Sequence, residues 1–391
     1  MAKAYLSRRT LLGAGTSLAA GLSMGALSDR ASAAEPGLEP FGPVTLYQPP
    51  ADRPAPGTLY GRAVRLAAAP GVLQGDRPRT LLATFEQYVD TMPVFPIFRS
   101  DDDGRTWIQQ SSVQDTQNGW GMRYQPFLYQ LPLPFAGLPM GALLCAGNSI
   151  PDDLSQTKID LYASTDGGLS WRFLSSIARG GRAIPNNGET PVWEPFLLLH
   201  HDRMICFYSD QRDPNYGQKL VHQTSRDLKH WNPPVDDAVG TDYPQRPGMT
   251  TVAALPLGRW IMTYEGGGGA GNNFFAIHYK IAPDPLSFGP VTPQILHDQS
   301  GYVPSSSPTV SWSPWGGGRG TIVVSANSDD DFFVNRALGD PGSWTRSPSL
   351  VPRGYTRFNI PLENGLVFTV NGGHIGNPGL NSVIDGISRL S

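Results

Sequence analysis

From about Phe41 onward the chain alternates short apolar runs with turn-forming residues, and the runs come in pairs. The first pair extends from Gly61-Arg62-Ala63 to Thr84-Phe85-Glu86, and the second from Tyr124-Gln125-Pro126-Phe127 to Ala146-Gly147-Asn148. The third extends from Trp193-Glu194-Pro195-Phe196 to Tyr208-Ser209-Asp210, and the fourth from Arg246-Pro247-Gly248 to Thr263-Tyr264-Glu265. Ser306-Ser307-Pro308 to Ser325-Ala326-Asn327 makes a fifth, and Tyr355-Thr356-Arg357 to Thr369-Val370-Asn371 a sixth. Paired runs of strand length between turn clusters predict β-hairpins. The 45 Gly and 37 Pro residues suit many short strands joined by tight turns.

A second repeat follows the hairpins. Ser100-Asp101-Asp102-Asp103-Gly104-Arg105-Thr106-Trp107 reappears as Ser164-Thr165-Asp166-Gly167-Gly168-Leu169-Ser170-Trp171. Looser copies centre on Asp227, Asp284 and Asp340, so the aspartates recur every 56 to 64 residues. The element is a turn: its carboxylate accepts nearby backbone N–H groups, and its glycine supplies a positive φ. The motif resembles the Asp box of sialidase-like propellers. A repeat of this period predicts radial repetition of one small sheet. The expected fold is all-β, a six-bladed β-propeller over residues 34–391. The N-terminal segment is expected to supply the strand that closes the last blade.

This architecture assigns a geometry. The start of each innermost strand and the end of the next open on one face, and the Asp boxes sit on the other. The residues expected around that mouth are Arg62, Gln125, Glu194, Arg246, Ser307 and Arg357, with Glu86, Asn148, Asp210, Glu265, Asn327 and Asn371. Two glutamates across a small mouth can hydrolyse a glycosidic bond, one attacking the anomeric carbon and one protonating the leaving oxygen. Glu194 and Glu265 lie on adjacent blades and are the candidate pair. Arg246 at the level of Glu194 favours its ionised form. Shielding of Glu265 by the glycine-rich run from Gly266 to Gly271 favours its protonated form. Glu194 is therefore the expected nucleophile and Glu265 the acid/base. Arg62, Trp193, Asp210, Arg212, Arg246, Tyr264, Asn327, Tyr355 and Arg357 are the expected substrate contacts. For Asp210-Gln211-Arg212-Asp213 a loop-closing ion-pair network is an equal reading, and Glu86 reads as a solvated or salt-bridged residue.

Trp193-Glu194-Pro195-Phe196, Tyr208-Ser209-Asp210-Gln211-Arg212-Asp213-Pro214, Arg246-Pro247-Gly248-Met249 and Ile261-Met262-Thr263-Tyr264-Glu265 together resemble glycoside hydrolase family 93. The resemblance implies a retaining exo-α-1,5-L-arabinanase that releases arabinobiose from linear arabinan, with Glu194 and Glu265 as its glutamate pair. The partner is then a plant cell-wall polysaccharide or oligosaccharide. A sialidase with Arg62, Arg246 and Arg357 as a carboxylate clamp is the alternative, and a non-catalytic carbohydrate-binding propeller a third.

The remaining features narrow the setting. Ser7-Arg8-Arg9-Thr10-Leu11-Leu12, an apolar stretch to Leu27 and Ala31-Ser32-Ala33 form a twin-arginine signal over residues 1–33. Secretion is expected, with no membrane partner after cleavage. The formal charge is −3, and removal of the leader brings it near −6, which argues against nucleic acid. The seven histidines show no metal-ligand spacing, and Asp329-Asp330-Asp331 lacks a calcium-loop pattern. No metal or cofactor is expected. Cys145 and Cys206 are expected to be free thiols, and the protein a monomer.

Overall fold

Six four-stranded antiparallel sheets account for all 24 strands of the computed structural model, which describes residues 37–67, 79–268 and 274–391. The twin-arginine leader and the run from Gly269 to Gly271 lie outside the described residues. The innermost strands are Thr58–Arg65, Met122–Gln130, Val192–His200, Gly248–Leu255, Thr309–Ser313 and Phe358–Pro361. Each contacts the next in cyclic order, and the last contacts the first, so the sheets close into a six-bladed propeller. Closure uses Phe41–Tyr47, which pairs antiparallel with Val383–Arg389 as the outer strand of the sixth blade. The two ends of the propeller chain are thereby hydrogen-bonded in one sheet. Glu39–Ser391 forms one unit.

The blades pack through their faces. Phe127, Phe196, Phe207 and Phe288 lie in one apolar cluster that crosses from the second blade to the fourth. Close approach is enforced elsewhere by a missing side chain. A Cβ on Gly147 would lie 2.2 Å from the Phe95 ring of the preceding blade.

The Asp boxes fasten blade to blade. Asp166 accepts hydrogen bonds from Ser164 Oγ at 2.6 Å and from Ser170 N at 3.0 Å, which fixes the turn. The turn delivers a tryptophan to the preceding blade. Trp107 Nε1 donates to Asp385 in the sixth blade, Trp171 Nε1 to Ser111 in the first, and Trp231 Nε1 to Ser175 in the second. Cys145 and Cys206 are buried, free thiols on the second strands of their blades.

At the opposite face every innermost strand begins with a backbone irregularity. Tyr60, Gln125, Glu194, Met249, Ser306, Ser307 and Thr356 all adopt a φ between 47° and 65°. In the first four blades the pairing register slips at this point, between Leu59 and Arg62, Tyr124 and Phe127, Trp193 and Phe196, and Gly248 and Thr251. These are β-bulges, which re-aim a side chain and free a backbone N–H from the ladder. For non-glycine residues the left-handed conformation costs on the order of 1–3 kcal/mol each. The freed N–H groups are put to use in the site.

Candidate active site

The bulged strand starts surround a cavity of about 470 Å³. Its lining includes Glu86, Tyr88, Tyr124, Gln125, Trp193, Glu194, Gln218, Arg246, Glu265, Phe275 and Tyr355. Three carboxyls therefore face one space. Each accepts the backbone N–H of a left-handed residue at the strand start of the next blade. Met249 N donates to Glu194 Oε2 at 2.7 Å, Ser307 N to Glu265 Oε2 at 2.7 Å, and Gln125 N to Glu86 Oε1 at 2.8 Å. Glu194 N in turn donates to Gln125 Oε1 at 3.0 Å.

Glu194 and Glu265 are brought together through Gly248. Gly248 is the register partner of Glu265, and a Cβ built on it would stand 3.5 Å from Glu194 Oε2 and 2.6 Å from Gln218 Nε2. A side chain there would displace Gln218, which holds Arg246. Arg246 donates to Gln218 Oε1 at 2.8 Å, Gln211 Oε1 at 3.1 Å and Asn187 Oδ1 at 2.8 Å. These partners are neutral amides, so the guanidinium charge acts on both glutamates.

The two carboxyls differ in surroundings. Burial pushes the Glu194 carboxyl above its ordinary range, opposed by the Ser209 hydroxyl at 2.5 Å, the Met249 N–H, Arg246 and Arg62. Burial also raises Glu265, and the negative charge of Glu194 adds to it, bringing Glu265 to about 7. The two carboxyls are thus unlike and coupled, with the charge of Glu194 among the causes that raise Glu265.

The expected substrate contacts separate into two groups. Trp193, Arg246 and Tyr355 line the cavity with the glutamates. Trp193 is fixed by its Nε1, which donates to Gln211 Oε1 at 2.9 Å. The others lie outside its lining. Arg62 is buried against the rings of Tyr60 and Phe358, with its guanidinium carbon 4.2 Å from the Tyr60 centroid. Arg357 is fully buried, and its guanidinium donates to the carbonyls of Asp329, Asp330, Asp331 and Val351. It organises the triple-aspartate turn and presents no N–H to the cavity. Asp210 and Arg212 pair with each other at 2.7 Å, and Arg212 Nη2 also donates to Tyr208 Oη at 2.7 Å, so the loop-closing network is what forms. Tyr264 stacks on His278 on the other face of its strand, and Asn327 Oδ1 is 2.9 Å from His374 Nδ1. Of the three arginines of the sialidase-type clamp, only Arg246 lines the cavity.

Glu86 corrects the sequence reading. It is buried, and burial raises its carboxyl to about 8 against the help of the Gln125 N–H and the Tyr88 hydroxyl. A signal for it existed: Thr84-Phe85-Glu86 repeats the pattern of Thr263-Tyr264-Glu265 at the same strand end.

A propeller whose mouth holds a buried pair of unlike glutamates beside a cationic arginine is a glycoside hydrolase. Comparison with solved structures places it further. The α-L-arabinofuranosidase of family 93 from Fusarium graminearum, solved with arabinobiose, is 42% identical, with a TM-score of 0.84 over 90% of this chain and 98% of that one. The Penicillium chrysogenum α-L-arabinanase, also solved with arabinobiose, is 43% identical, with a TM-score of 0.84 over 90% of this chain and 99% of that one. A glutamate-to-alanine variant of the Fusarium enzyme is also known with an iminosugar inhibitor. This chain belongs to glycoside hydrolase family 93. A sialidase from Streptococcus pneumoniae shares the fold at 9% identity and a TM-score of 0.56. A scan of protein-family models and a search of curated protein sequences matched nothing.

The raised carboxyls carry a stability prediction. A group whose folded pKa exceeds its unfolded value contributes stability that is full below the unfolded pKa and is lost as pH rises through the folded one. That window runs from the ordinary 4.5 up to about 8 for Glu86 and about 7 for Glu265. The denaturation midpoint should fall across this range. Glu86→Gln and Glu265→Gln, uncharged throughout, should each flatten the decline. Variants as steep as the wild type would show that these carboxyls are not buried in the folded protein.

Proposed function

We propose that the protein is a secreted, retaining exo-hydrolase of linear α-1,5-L-arabinan that releases arabinobiose. The observation that carries this reading is the 42–43% identity, over nearly the full length, to two enzymes solved with arabinobiose. The cavity chemistry is consistent with it. In the first step an oxygen of ionised Glu194 bonds to the anomeric carbon. The carbon–oxygen bond to the rest of the chain breaks as the Glu265 proton passes to the leaving oxygen. In the second step water attacks the same carbon, its proton passes to Glu265, and Glu194 leaves as the carboxylate. Two inversions give net retention. Arg246 supports the negative charge of Glu194, and Trp193 and Tyr355 offer rings to the apolar face of a furanose.

Debranched arabinan should yield arabinobiose as the first small product. Glu194→Ala and Glu265→Ala should each lower turnover by orders of magnitude while leaving the melting transition cooperative. With an activated aryl arabinoside, azide should restore Glu265→Ala and give a glycosyl azide of retained configuration. It should give the inverted azide with Glu194→Ala. Near-native activity in both variants rules out the pair, and release of sialic acid in place of arabinobiose rules out the substrate.

The leader around Arg8 and Arg9 supports export through the twin-arginine route. Protein recovered from the medium should begin close to Ala34, and N-terminal sequencing that finds the leader intact would count against export.

A further inference from the structure

The two-step reaction leaves a second cavity unused. It measures about 550 Å³, and Val239, Thr241, Gln245, Tyr264, His278 and Ile295 are among the residues that line it. Three segments of chain form the wall between it and the catalytic cavity, and each sends neighbouring residues to opposite sides. Arg246 lines the catalytic cavity, whereas Gln245 and Pro247 line the second. Glu265 lines the first, Tyr264 and Gly266 the second. Phe275 lines the first, Phe274 and Ala276 the second. The alternation of side chains along extended backbone makes this division. The two cavities are therefore adjacent, yet among the described residues none lines both.

The second cavity is preformed. Thr241 N donates to Gln245 Oε1 at 2.7 Å, and Gln245 Nε2 donates back to Thr241 Oγ1 at 3.1 Å, which braces one edge. Arg246 N donates to the Gly267 carbonyl at 2.7 Å and ties that edge to the end of the strand Arg259–Gly266. Tyr264 is buried, and its ring stacks on His278 with 5.3 Å between centroids, which gives the cavity an aromatic floor. Val239 and Ile295 stand exposed at its rim. Exposed apolar side chains gathered on one cavity mark a binding surface. The lining offers nothing to a charged ligand: among its described residues there is no carboxylate, ammonium or guanidinium. Burial raises the Tyr264 phenol and lowers the His278 imidazole, so both are neutral at neutral pH. His278 Nδ1 lies 3.0 Å from the Ala276 carbonyl, which only accepts, so Nδ1 carries the proton and Nε2 is left as an acceptor. Rings, apolar edges and a few neutral polar groups suit an uncharged, hydroxyl-rich chain.

We propose that this cavity is a second carbohydrate site, which holds linear arabinan away from the bond being cleaved. The identity of the sugar rests on the arabinanase reading, and the site deepens that reading by adding a contact for the body of the polymer. Linear arabinan carries no charge, which matches the lining. An exo-hydrolase takes only the chain end into its mouth. A polymer held one wall away raises the concentration of its ends at that mouth, an effect of tethering that leaves the bond-breaking step alone.

The test compares debranched arabinan with a para-nitrophenyl arabinobioside, which is too short to reach the second cavity while it occupies the mouth. Val239→Asp and Ile295→Asp combined place carboxylates at the exposed rim, outside the packed core. On arabinan kcat/KM should fall by roughly 5- to 20-fold, mostly in KM, as the effective concentration of tethered ends is lost. On the arabinobioside it should keep the wild-type value. No loss on arabinan overturns the proposal, and so does an equal loss on both substrates. Affinity electrophoresis of Glu194→Ala through debranched arabinan gives a readout independent of turnover. With arabinobiose filling the mouth the protein should still be retarded, and adding Val239→Asp and Ile295→Asp should release it. Retardation abolished by arabinobiose assigns all binding to the mouth and overturns the proposal. A wild-type dimer in sedimentation that the double substitution dissociates makes the cavity a contact between two copies, and overturns it as well. A wild type that turns over neither substrate fails the arabinanase reading itself, and the proposal falls with it. Failure of the second site alone leaves wild-type turnover intact.

Discussion

The left-handed residue at the start of each innermost strand is the constraint on which the site depends. A regular strand would spend every N–H on its ladder and alternate its side chains across the sheet. The left-handed residue breaks both rules at the strand start, with a bulge in the first four blades. It turns Glu194, with φ of 63°, toward the mouth and frees an N–H in the next blade to hold its carboxylate. Seven non-glycine residues hold this strained conformation, at a cost on the order of 1–3 kcal/mol apiece. The blade packing and the closing strand Phe41–Tyr47 make that strain tolerable, because no blade can relax without shifting its neighbours.

Function then follows from an asymmetry within a near-symmetric ring. Glu86, Glu194 and Glu265 all accept the N–H of a left-handed residue in the next blade, yet their surroundings differ. Glu194 collects a hydroxyl donor and the charges of Arg246 and Arg62, whereas Glu265 shares Arg246 but also meets the charge of Glu194. Glu86 lies farther round the ring with a tyrosine hydroxyl, and burial raises it to about 8. One backbone device used in three blades thus yields three buried carboxyls in unlike surroundings, all raised, Glu265 to about 7 and Glu86 to about 8.

Much of this was legible in the residues. The Asp boxes predicted the blade period, and the N-terminal segment was expected to close the last blade, as Phe41–Tyr47 does. The glutamate pair followed from strand starts and strand ends. That same rule assigned too many residues to the mouth, because it locates a Cα and not the direction of a side chain. Arg357 is drawn away by four carbonyls, three of them in the triple-aspartate turn. Arg62 follows its bulge by two residues and lies against aromatic rings. Tyr264 sits beside Glu265 in sequence and therefore on the opposite face of the sheet. Glu86 was passed over because a lone glutamate at a strand end is usually solvated, although its Thr-aromatic-Glu setting matches that of Glu265.

The central claim is that the mouth holds one ionised glutamate and one protonated glutamate with fixed roles. Trapping the glycosyl-enzyme tests it most directly. A 2-deoxy-2-fluoro-arabinobiosyl fluoride slows both steps but leaves the good fluoride leaving group, so the covalent species accumulates. Mass spectrometry of the digested adduct should find the sugar on the peptide at Glu194. A sugar on Glu265, or no adduct together with a first product of inverted configuration, would contradict the account.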